Sequence, residues 1–265
     1  MLEIALRRDR AIVIAALMVV VGLAAVYTVM GIGMSMSALT MTRMALEMPG
    51  MAMRTAAWSP AYALLVFLMW WVMMVAMMVP SAAPAILLYA GLQRKRKAAN
   101  APYTAAVFFL AGYLLIWAGF SLVATALQWG LETLGVMTGM MEITSKPLAG
   151  AVLIGAGLYQ LTGLKQACLR HCQHPLSFLL HNWKPGLSGA MRMGARHGGY
   201  CLGCCWVLMA LLFVGGIMNL IWIAGIAIYV GVEKVAARHR WVTTFMGVVL
   251  TALGAWLGFG LYLMT

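Results

Sequence analysis

Carboxylates are nearly absent from this chain: Glu3, Asp9, Glu47, Glu132, Glu142 and Glu233 are its six acidic residues among 265. Charged residues of both signs amount to only 9%, against 64% hydrophobic, with a mean hydropathy of +0.94. No water-facing surface can be assembled from that composition, which excludes a soluble globular protein. No acid sits within the interior of an apolar run, Glu233 coming nearest beside Lys234. Proton-coupled pumps normally place carboxylates there. All five histidines (His171, His174, His181, His197 and His239) fall between the apolar runs as the sequence divides them, which argues against a haem held by membrane helices. Glycine-rich phosphate loops, Walker-type motifs and nucleophile triads are also missing, so neither ATP-driven work nor hydrolysis is indicated.

Long apolar runs are what the chain has instead. Crossing about 30 Å of hydrocarbon takes about 20 residues. Seven stretches qualify, at 11–33, 62–91, 103–130, 147–165, 200–218, 219–235 and 241–264. The expected fold is therefore all-α: one polytopic membrane helix bundle over residues 1–265 with about seven transmembrane helices. The first run follows Arg7, Arg8 and Arg10 like a signal peptide, but its length and the lack of a small-residue cleavage site favour a retained helix. The stretch 200–235 is too long for one crossing and barely enough for two, so a tight hairpin is expected near Met218–Asn219. Seven spans with the N-terminus cytoplasmic and the C-terminus outside put fifteen of the eighteen Lys and Arg residues inside and only Arg43, Arg54 and Lys146 outside. That asymmetry fits a multi-pass protein of an inner (plasma) membrane, which is the expected location. The basic residues form short clusters rather than one stripe, so nucleic acid is not an expected partner. Pro80 and Pro84 interrupt the second run, and Gly254-xxx-Gly258 permits close helix contact in the last.

Sulfur is the other excess. Five cysteines occur as Cys168-Leu-Arg-His171-Cys172 and Cys201-Leu-Gly-Cys204-Cys205. In a helix Cys168, His171 and Cys172 share one face, and Cys201, Cys204 and Cys205 repeat the spacing, with Met209 continuing it. One group would end the fourth span and the other begin the fifth, joined by a cytoplasmic loop. Two helix ends each presenting thiols could converge on a soft-metal site suited to Cu(I), Zn(II) or an iron–sulfur centre. The alternatives are buried cysteines acting as small hydrophobes, a thiol-disulfide enzyme, and a disulfide, which a reducing compartment disfavours. His171, His174 and His197 are further candidate ligands, against the commoner solvated loop histidine. Residues 175–185 read as a segment on the membrane interface.

Methionine numbers 24, of which eight lie in 30–53: Met30, Met34, Met36, Met41, Met44, Met48, Met51 and Met53. Met137, Met140 and Met141 occupy the other outer loop. Thioethers bind Cu(I) or Ag(I) where thiols would be oxidised; the alternative is an adaptable hydrophobe lying on the bilayer. In the second run Met69, Met73 and Met77 form one stripe, Met74 and Met78 a second, with Trp70 between them. Trp71, Val72, Val75, Ala76 and Val79 take the opposite half, so the methionine half should face the bundle, as ordinary packing or as a thioether ladder.

Trp70-Trp71-Val72-Met73-Met74 through Met77-Met78-Val79-Pro80, Tyr159-Gln160-Leu161-Thr162 leading to Lys165, Cys168 and Cys172, Cys201-Leu202-Gly203-Cys204-Cys205-Trp206, Met218-Asn219 and Glu233-Lys234 run through most of the chain. In these features the sequence resembles a family of bacterial predicted metal-binding integral membrane proteins of unknown function. The resemblance implies a multi-spanning fold and a bound metal, without a reaction. The expectation is binding of a soft transition metal, Cu(I) favoured over Zn or iron–sulfur, for transport or delivery. The candidate ligands are Cys168, Cys172, Cys201, Cys204, Cys205 and His171, with Met73, Met77 and Met78 as the relay. The rival is a membrane enzyme or assembly subunit with a fixed Cys-ligated metal or thiol redox centre. A scaffold for another membrane subunit is the third reading. Expected partners are the lipid bilayer and the metal ion, with a membrane or periplasmic protein as a further candidate.

Overall fold

In the computed structural model the described residues are 2–34, 36–48, 57–95, 102–235 and 240–259. Met51, Met53, Arg54, Arg96, Lys97, Arg238, His239 and residues 260–264 of the expected last span lie outside them, as do the side chains of Arg7 and Arg8. The described residues are helical apart from short connections and one isolated antiparallel bridge, Met137 to Ile143. Five helices are long and apolar enough to cross a membrane, or six if one bent pair is counted. The five are α1 (Leu2–Met30), α3 (Pro60–Lys95), α4 (Pro102–Thr133), α8 (Gly186–Ala210, continued by α9, Leu212–Gly215) and α11 (Arg240–Phe259). α10 (Leu220–Val235) has 16 residues, about 24 Å at 1.5 Å per residue, and so falls short of the expected sixth span.

Two boundaries depart from expectation. The fourth run does not continue to Lys165. It breaks into α5 (Lys146–Leu161) and α6 (Gly163–Gln173), bent by 65°. Thr162 causes this: extended at φ −71° and ψ 147°, its hydroxyl accepts from the Lys165 amide and starts a new helix. The fifth run begins at Gly186 rather than Tyr200, so much of the expected cytoplasmic loop is α6, α7 (Pro175–His181) and the first half of α8. His197 consequently lies within a membrane-length helix, 3% exposed, and not in a loop. The outer methionine segment holds a short helix, α2 (Ala38–Glu47), capped by the Ser37 hydroxyl and burying Met41. The expected hairpin is tight: Gly216 turns at φ +90°, and the Trp222 ring lies over Gly215 so closely that no side chain fits there.

Glycine decides which helices touch. A Cβ on Gly194 of α8 would stand 1.8 Å from the Phe109 carbonyl oxygen of α4, and one on Gly157 of α5 would stand 2.6 Å from the Gly247 oxygen of α11. Gly150 and Gly254 meet in the same way, at 2.8 and 2.7 Å. These backbone-to-backbone seams bring α8 onto α4 and α11 onto α5. α3 runs through Pro80 and Pro84 without ending and lies against α1, α4, α7 and α10.

Candidate metal centre

α3 turns its methionines inward. Met69, Met73, Met74, Met77 and Met78 are all at most 3% exposed, and Trp70 is fully buried among them. The opposite half is less uniform than its pattern suggests, because Val75 and Val79 are buried too. α8 carries Cys201, Cys204 and Cys205 past its midpoint, not at its start, and all three are at most 1% exposed. α6 packs across α8 and supplies Cys168 and Cys172.

These elements gather all five thiols, each of them free. Cys172 lies near enough to Cys201 and Cys204 to interact with both, and Cys201, Cys204 and Cys205 are neighbours in the same way. Cys168 Sγ lies 2.8 Å from where a Cβ on Gly203 would be, so this glycine admits it beside α8. Cys205 Sγ approaches Met78 Sδ at 3.9 Å, joining the thiols to the methionine face of α3. The thiols are neighbours rather than a formed polyhedron. Those of Cys204 and Cys205 turn back onto the Cys201 carbonyl oxygen, at 3.1 and 2.8 Å. Among the described residues no three His, Cys, Asp or Glu side chains already converge as a metal site. Rotation about χ1 would free these sulfurs from the carbonyl.

The expected ligand His171 stands apart. Its Nδ1 contacts the Ala167 carbonyl oxygen at 2.9 Å and its ring stacks on Tyr200 at 4.0 Å, on the exposed side of α6. His174 caps α6, and His197 sits among Phe109, Tyr113 and Phe178 with its Nδ1 buried and unpartnered.

Polar groups to which sequence reasoning gave no part in the site close around the sulfur. Lys234 Nζ donates to Cys201 Sγ at 3.1 Å and to Ser81 Oγ at 2.7 Å. Ser81 Oγ and the Tyr113 hydroxyl both donate to the Met78 carbonyl oxygen, at 2.8 and 3.1 Å, and Tyr113 also lies 3.1 Å from Cys201 Sγ. Lysine, serine, a carbonyl, tyrosine and cysteine thus form one ring spanning α3, α4, α8 and α10. Beside it the fully buried Lys165 pairs with Glu233 at 2.7 Å, and Gln160 and Tyr229 complete the network. Lys165 and Lys234 had counted among the fifteen cytoplasmic charges. They are interior groups, and the Glu233-Lys234 dipeptide closing an apolar helix was the signal for them.

Residues 67–257 match the family of copper chaperones designated PpoB2. The chain belongs to that family. The match takes in every cysteine together with Met73, Met77 and Met78, and leaves out α1 and the Met30–Met53 stretch. No curated protein and no solved structure matches the chain.

Proposed function

We propose that this copper chaperone is a multi-pass protein of the bacterial inner membrane, N-terminus cytoplasmic and C-terminus outside, which carries Cu(I) on its sulfur cluster. The observation that carries the reading is the contact between Cys205 Sγ and Met78 Sδ, in an interior that buries three of the five thiols and an inward methionine face. Cu(I) is the soft ion that thiolates and thioethers select together. Two or three sulfurs satisfy it, so Cys172, Cys201, Cys204 and Cys205 can hold it in turn, with Cys168 at the edge. Met73, Met77 and Met78 would pass the ion along α3, a path that buries no ligand charge because a thioether has none. His171 has no part in this set as the helices stand.

The test is elemental analysis of detergent-purified protein prepared anaerobically, beside a Cys168/Cys172/Cys201/Cys204→Ser variant. Stoichiometric copper that disappears in the variant is expected. Zinc, or iron with sulfide, would move the site to a fixed structural or redox centre and sink the copper reading. Substituting Met73, Met77 and Met78 by Leu keeps volume and burial. It should stop copper movement while leaving the protein folded, and normal movement in that variant would end the relay.

A further inference from the structure

A cavity of about 550 Å³ opens between α3, α6–α7 and α10. A single metal ion needs almost none of that space, whereas small-molecule sites run to about 300–1,000 Å³. Its wall is mostly apolar but includes Met77, Ser81, Cys172 and Lys234. Soft sulfur and one cation therefore face the same void.

The cation lacks a carboxylate. Lys234 is 8% exposed, and among the described residues no carboxylate lies within ion-pair distance of it. The adjacent Glu233 is taken by Lys165 and Tyr229. Cys201 and Ser81 use two of the three N–H groups of Lys234 and leave one. A buried ammonium of this kind is stabilised by an anion brought to it. We propose that the cavity receives a small thiol bearing a carboxylate and carrying Cu(I), the carboxylate pairing with Lys234 and the copper passing to Cys172. This rests on the copper reading above. In the exchange the bond from copper to the carrier's sulfur breaks as the bond to Cys172 Sγ forms. The Cys172 proton leaves on the carrier's sulfur, and copper stays Cu(I) throughout.

The experiment loads metal-free, detergent-purified protein with Cu(I) from three sources: N-acetylcysteine, its neutral amide, and acetonitrile without thiol. Loading from N-acetylcysteine should be about tenfold faster than from the amide, since only the former has a charge for Lys234 to attract. A Cβ on Gly231 in the cavity wall would meet no atom within 4 Å, so Gly231→Phe puts a ring into open space. That variant should lose the preference for the carboxylate and still reach full copper content from acetonitrile. Equal rates from the two thiols on the unaltered protein, with full loading from acetonitrile, would overturn the carrier site and leave the copper reading standing. No copper from any source would overturn both. The comparison of the two thiols needs no variant, so a misfolded Gly231→Phe protein does not weaken it.

Discussion

Two buried polar clusters lie about 16 Å apart along α3, eleven residues from Trp70 to Ser81, with the methionine face between them. At one, the Glu132 carboxylate accepts from Trp58 Nε1 and Gln128 Nε2, each at 2.8 Å, while Trp70 Nε1 donates to Gln128 Oε1 at 2.9 Å. At the other, Lys234 is held by Cys201 and Ser81. Burial and hydrogen-bond count hardly distinguish them. The partners do. Indole and amide N–H groups only donate, so the Glu132 cluster is a closed brace between the start of α3 and the end of α4. A cysteine sulfur can exchange a proton for a metal, and Lys234 and Cys172 also border a cavity. The chemistry of the neighbours, more than the cost of burying a charge, marks which cluster can work.

The largest effect that sharpens this contrast is expected beside the sulfur. Lys165→Met leaves the Glu233 carboxylate buried without its cation and should cost about 3–5 kcal/mol. Thermal unfolding would show it as a large drop, mostly recovered in Lys165→Met/Glu233→Leu, where both charges are gone. If the single variant melts near the parent, the ion pair does not hold α6 against α10. Glu132→Gln comes next. The amide replaces one accepting oxygen with a donor facing a donor, and about 1–3 kcal/mol should be lost. Copper content should not change. Loss of copper in that variant would break the distinction between a structural cluster and a working one.

Helical class, the inward methionine face and the small-residue contact of α11 were legible because each depends on composition or a local period. Boundaries were not. Gly194 and Gly198, with Arg192, Arg196 and His197, make the first half of α8 look like a loop. The glycines are there because the α4 backbone passes within contact, a partner no local window contains. Gly254 was visible, but its partner Gly150 was not. The cysteine spacing put two thiols on one face of the first helix and three on one face of the second, whereas their depth in α8 depended on that misplaced start. Lysine next to an apolar run reads the same whether it reaches the interface or points inward. Lys165 points inward because Glu233 waits 68 residues on, on another helix.

Glu142 extends the comparison to a carboxylate that water still reaches, and carries the smallest predicted effect. It lies in the loop between α4 and α5, half-buried, where burial pushes its pKa above the ordinary 4.5. The folded chain therefore keeps a proton that the unfolded chain releases. This contribution to stability is full below pH 4.5 and is lost as pH rises through the raised value. Glu142→Gln removes the titration. The variant should melt at most about 2 °C higher at pH 7, and the gain should vanish as pH falls toward the ordinary carboxylate range. A lower melting temperature for the variant at pH 7 would mean that the ionised carboxylate is held by a donor, as Glu132 is. The expected small gain places Glu142 outside both clusters, with solvent as the partner that limits the cost of its charge.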